Sequence, residues 1–418
     1  MSKTNLRCVI ADTGLGLHNS GRCYLCCHSR TYLQDDNGQE IYLDSSTLQD
    51  AWNSPTRVEI QHALNNNIEH PNCTACWEDE HAGKQSRRNY FNESWGHLTA
   101  RTDQPQLLDL KMGNTCNMKC RTCNPEVSSQ WYREDWELNA GPKENISYPD
   151  YLKRWRRITA SYNDDNTGVW ETLKSWLPNT RYIDFYWAEP MLIKKNFEVL
   201  QAAVDQGTAK DITLHINTNG TIWNDEHEQL LKNFKTVLFD LSIDDIQDRC
   251  GYIRYSSTWE LVGSNLAQFL QINERNKHFH FCICITINCL NVYYLDEIFD
   301  YISKQQLHSN FNMLHLPDQL NLKILPNDVK HIITKKLQAY TPDSSIRPHL
   351  IRYWEEHVKS VINFMNTTVP DADLHFQTFH YYTRGLDRTR GQSFEKQLPE
   401  FAAILKPWFD QLDVEITA

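Results

Sequence analysis

The sequence offers little that would carry it into or across a membrane. No run among its 418 residues reaches the roughly 18 uninterrupted apolar positions of a spanning helix, and the opening MSKTNLRCVIADTG lacks the basic-then-apolar order of a secretory signal. A cytoplasmic chain is the expectation. Internal repeats and low-complexity tracts are absent, which excludes solenoids and arrays. Positive charge is scarce as well: 42 Lys and Arg against 53 Asp and Glu leave a formal net charge of -11. A surface of that sign repels a phosphate backbone or an anionic bilayer at long range, so neither nucleic acid nor membrane is an expected partner. The one basic run, Lys153, Arg154, Arg156 and Arg157, reads as a solvated helix face.

What is present points to a large globular fold. With 40% hydrophobic and 23% charged residues the chain can bury a sizeable core, as one large domain with an added module or as two domains. Disulfides do not persist in a reducing compartment, so clustered members of its 13 cysteines are expected to bind metal and scattered ones to pack as small hydrophobes. Cys250, Cys282, Cys284 and Cys289 fall in the packing group, with Cys289 the one placed nearest a strand end.

The sequence changes character twice. Residues 1–100 are rich in Asn and His and have short apolar runs, so their core needs a metal staple. From residue 105 short β-rich runs alternate with amphipathic stretches. Strands are expected at QLLDLKM (106–112), RYIDFYW (181–187), DITLHIN (211–217), TVLFDLSI (236–243), HFHFCICITI (278–287) and SNFNMLHL (309–316). Helices are expected at NFEVLQAAVDQ, DEHEQLLKNF, TWELVGSNLAQFLQI and YLDEIFDYISKQ. Six strands with crossover helices imply an α/β fold with a parallel sheet, either curled into a partial barrel or open and doubly wound. Residues 132–178 read as an insertion over the site and residues 321–418 as a helical extension.

In either sheet the chemistry belongs at the C-terminal strand ends. Cys116, Cys120 and Cys123 follow the first strand at once, on a loop at that end. Three thiolates there can take three corners of a cubane iron-sulfur cluster and leave the fourth iron open to a small molecule. A zinc ion with a distant fourth ligand is the alternative for the same loop.

The CxxxCxxC spacing resembles the signature of the radical S-adenosylmethionine (radical SAM) superfamily, and three later segments support the likeness in order. Trp187-Ala188-Glu189-Pro190 resembles that family's GGEP motif, Thr218-Asn219-Gly220 its TNG, and LSIDD (241–245), followed by YIR and TWE, its SxDG segment. The resemblance implies a partial (β/α)6 TIM-type barrel over 105–320 that binds a 4Fe-4S cluster and S-adenosyl-L-methionine. It implies that Glu189 holds the methionine amino group, that Asn219 belongs to the cosubstrate site, that Ser242, Asp244 and Arg254 contact its ribose or carboxylate, and that Asn288 approaches it. Thr122 before the third cysteine, and Trp187 and Ala188 at the two glycine positions, depart from the family pattern.

Near the N-terminus, Cys8, Gly21, Cys26 and the pair Cys73 and Cys76, with LDSSTLQDAWNSPTRVEIQHAL between them, resemble the auxiliary-cluster module called SPASM or, in its short form, twitch. That likeness implies a second 4Fe-4S cluster on Cys8, Cys26, Cys73 and Cys76, in a module that here precedes the barrel. Structural zinc is the alternative, and Cys23 or Cys27 is an alternative to Cys26. Arg87 and Arg88, just beyond, read as a solvated linker face, with contact to the barrel or to an acidic substrate as the alternative. The expected activity is reductive cleavage of S-adenosylmethionine and hydrogen abstraction from a peptide or protein, fed by a low-potential donor such as a flavodoxin or ferredoxin. A sugar- or cyclitol-type dehydrogenase or epimerase and a non-catalytic zinc-stabilised binding protein are the alternatives. No catalytic acid or base stands out.

Overall fold

The computed structural model describes residues 5–81, 85–100, 103–159 and 167–417. All six expected strands form, each within about three residues of its expected bounds: β3 (Leu107–Leu110), β4 (Tyr182–Phe185), β5 (Thr213–Thr218), β6 (Thr236–Ser242), β7 (Phe279–Ile287) and β8 (His308–Met313). Two more precede them, β1 (Gly14–Leu17) and β2 (Cys23–Tyr24). The order across the sheet is β2-β1-β3-β4-β5-β6-β7-β8. Only β2 runs antiparallel to its neighbour. From β3 onward each strand pairs with the next one in the chain, so the order never reverses, as a doubly wound sheet would require.

β1 escapes a pattern reading because its sequence is GLGL, and glycine lowers strand propensity. The glycine has a packing reason. A Cβ on Gly16 would stand 2.1 Å from the Tyr24 ring, so only a bare backbone lets β2 fold over β1. Residues of the expected N-terminal module thus extend the main sheet, with Gly16 opposite Asp109. They also form a small core of their own from Val9, Ile10, Leu25, Ile60, Leu64 and Phe91, which shares Leu107 and Tyr182 with the sheet edge.

Strand alternation gives the sheet two unlike faces. Leu108, Ile183, Leu214, Val237 and Ile283 are fully or nearly fully buried and belong to the large core that the crossover helices cover. Those helices are Lys194–Asp205, Asp225–Leu231, Trp259–Arg275 and Leu295–Lys304, where amphipathic patterns predict them. Asn224 and Thr258 start two of them by accepting from the backbone N–H of His227 and Leu261. In the 132–178 stretch, helices occupy Tyr148–Thr159 and Thr167–Trp176; residues 160–166 lie outside the described residues. Of the basic run, Lys153 pairs with Asp150 and Arg154 with Glu144, all four exposed, as a solvated face should be; the Arg157 side chain lies outside the description. The last 92 or so residues are mostly helical, including Pro348–Met365, Ala372–Arg390 and Pro399–Thr417. Among the described residues no helix is long and apolar enough to cross a membrane.

Candidate functional site

The loop after β3 carries Cys116, Cys120 and Cys123, and the rest of the molecule braces it from several sides. Glu189 N–H donates to the Thr115 carbonyl, and Lys119 and Arg121 N–H donate to the carbonyls of Tyr255 and Ile253. Trp131 Nε1 donates to the Cys120 carbonyl at 3.1 Å, and the Tyr382 hydroxyl to that of Arg121 at 2.7 Å. Arg121 itself is fully buried; its guanidinium stacks 3.7 Å over the Tyr252 ring and pairs with Asp387 in the helix Ala372–Arg390. Beside it Arg390 donates to both oxygens of Glu134, at 3.0 and 2.8 Å, both side chains being buried. The helix Ala372–Arg390 therefore clamps the cysteine loop.

The three thiols feel one another. Burial and then Cys120 push Cys116 up to about 11. Cys120 and Cys123 share a hydrogen bond, which holds the Cys120 thiol down at about 7 and drives Cys123 up. The carboxylates that act on these thiols, Glu189 and Asp244, are both committed to protein donors. Glu189 is fully buried and accepts from Thr218 Oγ1 at 2.7 Å, Asn219 N–H at 2.7 Å and Met191 N–H at 3.0 Å. Asp244 is fully buried and accepts from Arg254 Nη1 at 2.9 Å and Thr286 N–H at 2.8 Å. Sulfur is thus the donor set the loop offers, which fits a cluster held by three thiolates.

The expected site residues meet in part. Asn219 bridges Glu189 to the loop, its Nδ2 lying 2.8 Å from Asn117 Oδ1 and 4.0 Å from Cys116 Sγ. Arg254 lies against Asp244, Cys120 and Cys123, whose charges outweigh its burial and keep it protonated. Ser242 sits lower on the sheet, donating to Asn217 Oδ1 at 3.0 Å. Asn288 is fully buried in the turn after β7; its amide bonds Thr286 O and Leu290 N–H, so both ends serve that turn. At the two departures from GGEP the backbone tells more than the side chains. Trp187 has φ 82° and Ala188 φ 53°, the left-handed region that glycine favours. The chain keeps the glycine-like path with two side chains attached, at a cost of about 1–3 kcal/mol each.

The four N-terminal thiols also gather. Cys8, Cys73 and Cys76 each feel Cys26, and with Leu25, His28, Leu64, Arg87 and Arg88 the four line one cavity. Burial pushes Cys8 up to about 12 and raises the other three. A bound cation reverses that preference, since a coordinated thiol is deprotonated outright. Cys23 is buried in β2, its thiol raised by burial alone, and Cys27 feels Arg87 and Asp109 ahead of Cys26 and none of the other three thiols. Among the described residues no three His, Cys, Asp or Glu side chains are arranged around a single metal ion. Arg88 is buried against Glu80 at 2.9 Å and Arg87 reaches Asp184 of β4 at 3.4 Å, so neither lies on a solvated face and Arg87 makes the contact with the sheet that stood as the alternative. Of the scattered cysteines, Cys250 and Cys289 pack in the core, Cys289 donating to Asn321 O at 3.2 Å, whereas Cys282 is half-buried beside Asp240 and Cys284 accepts from Asn312 Nδ2 at 2.8 Å, both outside that core.

One feature of the sheet belongs to no sequence motif. The second face of the sheet carries Asp109, Asp184 and His215 in register on β3, β4 and β5, with Asp240 on β6 next to them. His215 Nδ1 lies 2.8 Å from Asp184 and Nε2 3.2 Å from Asp240. Burial alone would depress the imidazole, but the two carboxylates outweigh it and lift His215 to about 10. Asp184 in turn stays low, because His215 and Arg87 outweigh its burial. Asp109, buried and facing Asp184, rises to about 6 while accepting from Tyr24 OH at 2.7 Å and Tyr186 OH at 3.3 Å. The signal was one ionisable residue in the middle of each apolar run: LLDLKM, YIDFYW, TLHIN and LFDLSI.

No family model matches the chain. No curated protein matches it either. Among solved structures it is similar to native anSMEcpe with bound AdoMet, at 15% identity over 60% of this chain and 61% of that one, with a TM-score of 0.35. The form of that protein with AdoMet and the Kp18Cys peptide gives 16% identity over 60% of each chain and a TM-score of 0.35. Streptococcus suis SuiB bound to S-adenosylmethionine gives 14% identity over 48% of this chain and 45% of that one, with a TM-score of 0.24. The chain spans about three fifths of the length of the first of these, 61%. Similarity at such TM-scores carries no argument about activity.

Proposed function

We propose that the chain is a radical SAM enzyme, built on a partial (β/α)6 barrel of β3–β8 within 105–320, with an N-terminal twitch-like module (1–100) and a C-terminal helical extension (321–418). The observation that carries this reading is the convergence of Cys116, Cys120 and Cys123 with Glu189, Asn219, Asp244 and Arg254 at the ends of consecutive parallel strands. Cys116, Cys120 and Cys123 would hold a 4Fe-4S cluster, which with S-adenosylmethionine would supply one-electron reductive cleavage and hydrogen-atom abstraction from a substrate.

The chain's own residues do the rest. Arg254 sets a fixed positive charge against Cys120 and Cys123, which opposes the rise that burial imposes on both thiols. Glu189 ties the β4 turn to the β5 turn through Thr218 and Asn219, and to the loop through its backbone N–H on Thr115, so the three motifs move as one unit. Trp131, Tyr382 and the buried Arg121 cover the far side of the loop and keep water from it. Cys8, Cys26, Cys73 and Cys76 would hold a second 4Fe-4S cluster, supported by their mutual electrostatic contact around one cavity. Four thiols also suit structural zinc, and metal content separates the two. The substrate is proposed to be a peptide or protein and the electron donor a flavodoxin or ferredoxin.

The test is anaerobic reconstitution with iron and sulfide, dithionite reduction, addition of S-adenosylmethionine and chromatography for 5'-deoxyadenosine. The expected result is about eight irons per chain and 5'-deoxyadenosine that disappears in Cys116→Ala, Cys120→Ala and Cys123→Ala. A filled, reducible cluster that yields none, or a protein that takes up zinc in place of iron, would sink the proposal.

A further inference from the structure

Lys111 follows β3, two residues beyond Asp109, and is 9% exposed. Its ammonium stands 4.9 Å from the Tyr24 ring centroid, 4.9 Å from that of Tyr186 and 4.7 Å from that of Trp187. Among the described residues it has no hydrogen bond and no carboxylate within ion-pair distance. Asp109, Glu126 and Asp184 act on its charge only from a distance, and the hydrogen bonds that Asp109 accepts come from the Tyr24 and Tyr186 hydroxyls. A buried ammonium carries three donors, and ring faces attract its charge without accepting the three as oxygens do.

The same lysine lines a cavity of about 160 Å³ together with His18, Cys26, Cys27, Arg30 and Tyr32. No carboxylate lines this space, and two cations do. Arg30 already faces Glu78 at 3.6 Å, which leaves Lys111 as the uncommitted one. The cavity also has a place in the site. Cys26 joins it to the N-terminal thiols; His18, whose ring lies 5.7 Å from that of Trp187, joins it to the turn that carries Glu189.

We propose that this cavity is a carboxylate subsite, in which the Lys111 ammonium donates to the carboxylate of the molecule acted on and holds it between the N-terminal thiols and the cysteine loop. A single compact ammonium in a space this small suits a carboxylate; phosphate sites draw on forks of donors or several backbone N–H groups. That the ligand is the substrate rests on the function proposed above, whereas binding of a carboxylate does not. The carboxylate comes from a chain end or from an acidic side chain.

Calorimetric titration of the reconstituted full chain decides it with three probes: N-acetylglycine for a chain end, N-acetylaspartate α-amide for a side chain, and neutral N-acetylglycinamide. Saturable binding of at least one acid is expected, weaker by about tenfold or more for the neutral amide and for Lys111→Met. The tighter acid identifies the source. The subsite is overturned by failure of both acids to bind, by equal binding of the amide, or by undiminished binding to a folded Lys111→Met. If that variant does not fold, the comparison of acid with amide on the unaltered chain decides alone. 5'-Deoxyadenosine formation by the same preparation is read separately: its absence beside carboxylate binding removes the enzyme and keeps the subsite, and its presence without such binding does the reverse.

Discussion

Arg254 Nη1 donates to Asp244 Oδ2 across 2.9 Å while its charge lies against the thiols of Cys120 and Cys123. One guanidinium therefore neutralises a fully buried carboxylate and faces two sulfurs of the loop. Arg254→Met removes it and leaves Asp244 with an uncompensated buried charge, a loss of about 3–5 kcal/mol. The expected outcome is a lower urea midpoint together with less iron retained after reconstitution. A variant with unchanged stability and iron content would mean that Arg254 serves neither partner.

The two groups of thiols are separable. Cys120→Ala is expected to lose about half the iron and all 5'-deoxyadenosine formation, while the N-terminal iron stays. Cys76→Ala is expected to lose the other half, with substrate turnover and some stability. Iron assays and chromatography on the two variants check the split, and retained cleavage in Cys120→Ala would refute the loop assignment.

His215 gives the polar face a pH signature. Its folded pKa of about 10 exceeds the ordinary 6.5, so the stability it contributes is fully present below about 6.5 and is lost as pH rises through 10. Melting temperatures at pH 7 and at about 10.5 should therefore fall further apart in the unaltered chain than in His215→Gln, which has no such proton to lose. Equal falls would mean that Asp184 and Asp240 do not hold the imidazolium.

Ala188 carries a side chain at φ 53°. Relief of left-handed strain, about 1–2 kcal/mol, exceeds the extra backbone entropy of glycine, about 0.5–1 kcal/mol. Ala188→Gly is thus expected to raise stability by about 0.5–1 kcal/mol, read as a higher urea midpoint. A loss would show that the methyl packs usefully there.

The parts of this molecule visible in its sequence are those whose physics is local. Strand alternation and helix periodicity located β3–β8 and their crossovers, and spacing alone singled out Cys116, Cys120 and Cys123. β1 stayed hidden because two of its four residues are glycines, Gly14 lying close against Ile10 and Gly16 admitting the Tyr24 ring. The row of Asp109, Asp184, His215 and Asp240 needs the register between strands before it becomes a row. Arg87 and Arg88 look like any charged linker until folding brings Asp184 and Glu80 to them. Trp187 and Ala188 read as departures from a glycine pattern, yet their backbone keeps the glycine conformation, which composition does not reveal.

The clamp on the cysteine loop has a consequence in time. Arg121 and its partner Asp387 are separated by 266 positions, and the Tyr382 hydroxyl that caps the Arg121 carbonyl lies nearly as far along. The N-terminal thiols and most of their core are made within the first hundred or so residues, and the last members of that core, Leu107 and Tyr182, follow well before the helix Ala372–Arg390. The loop after β3 waits for the helix Ala372–Arg390 before it can close. During synthesis the chain thus has an interval in which its first thiol pocket is complete and its second still open to solvent, so the two groups of thiols take shape in a set order.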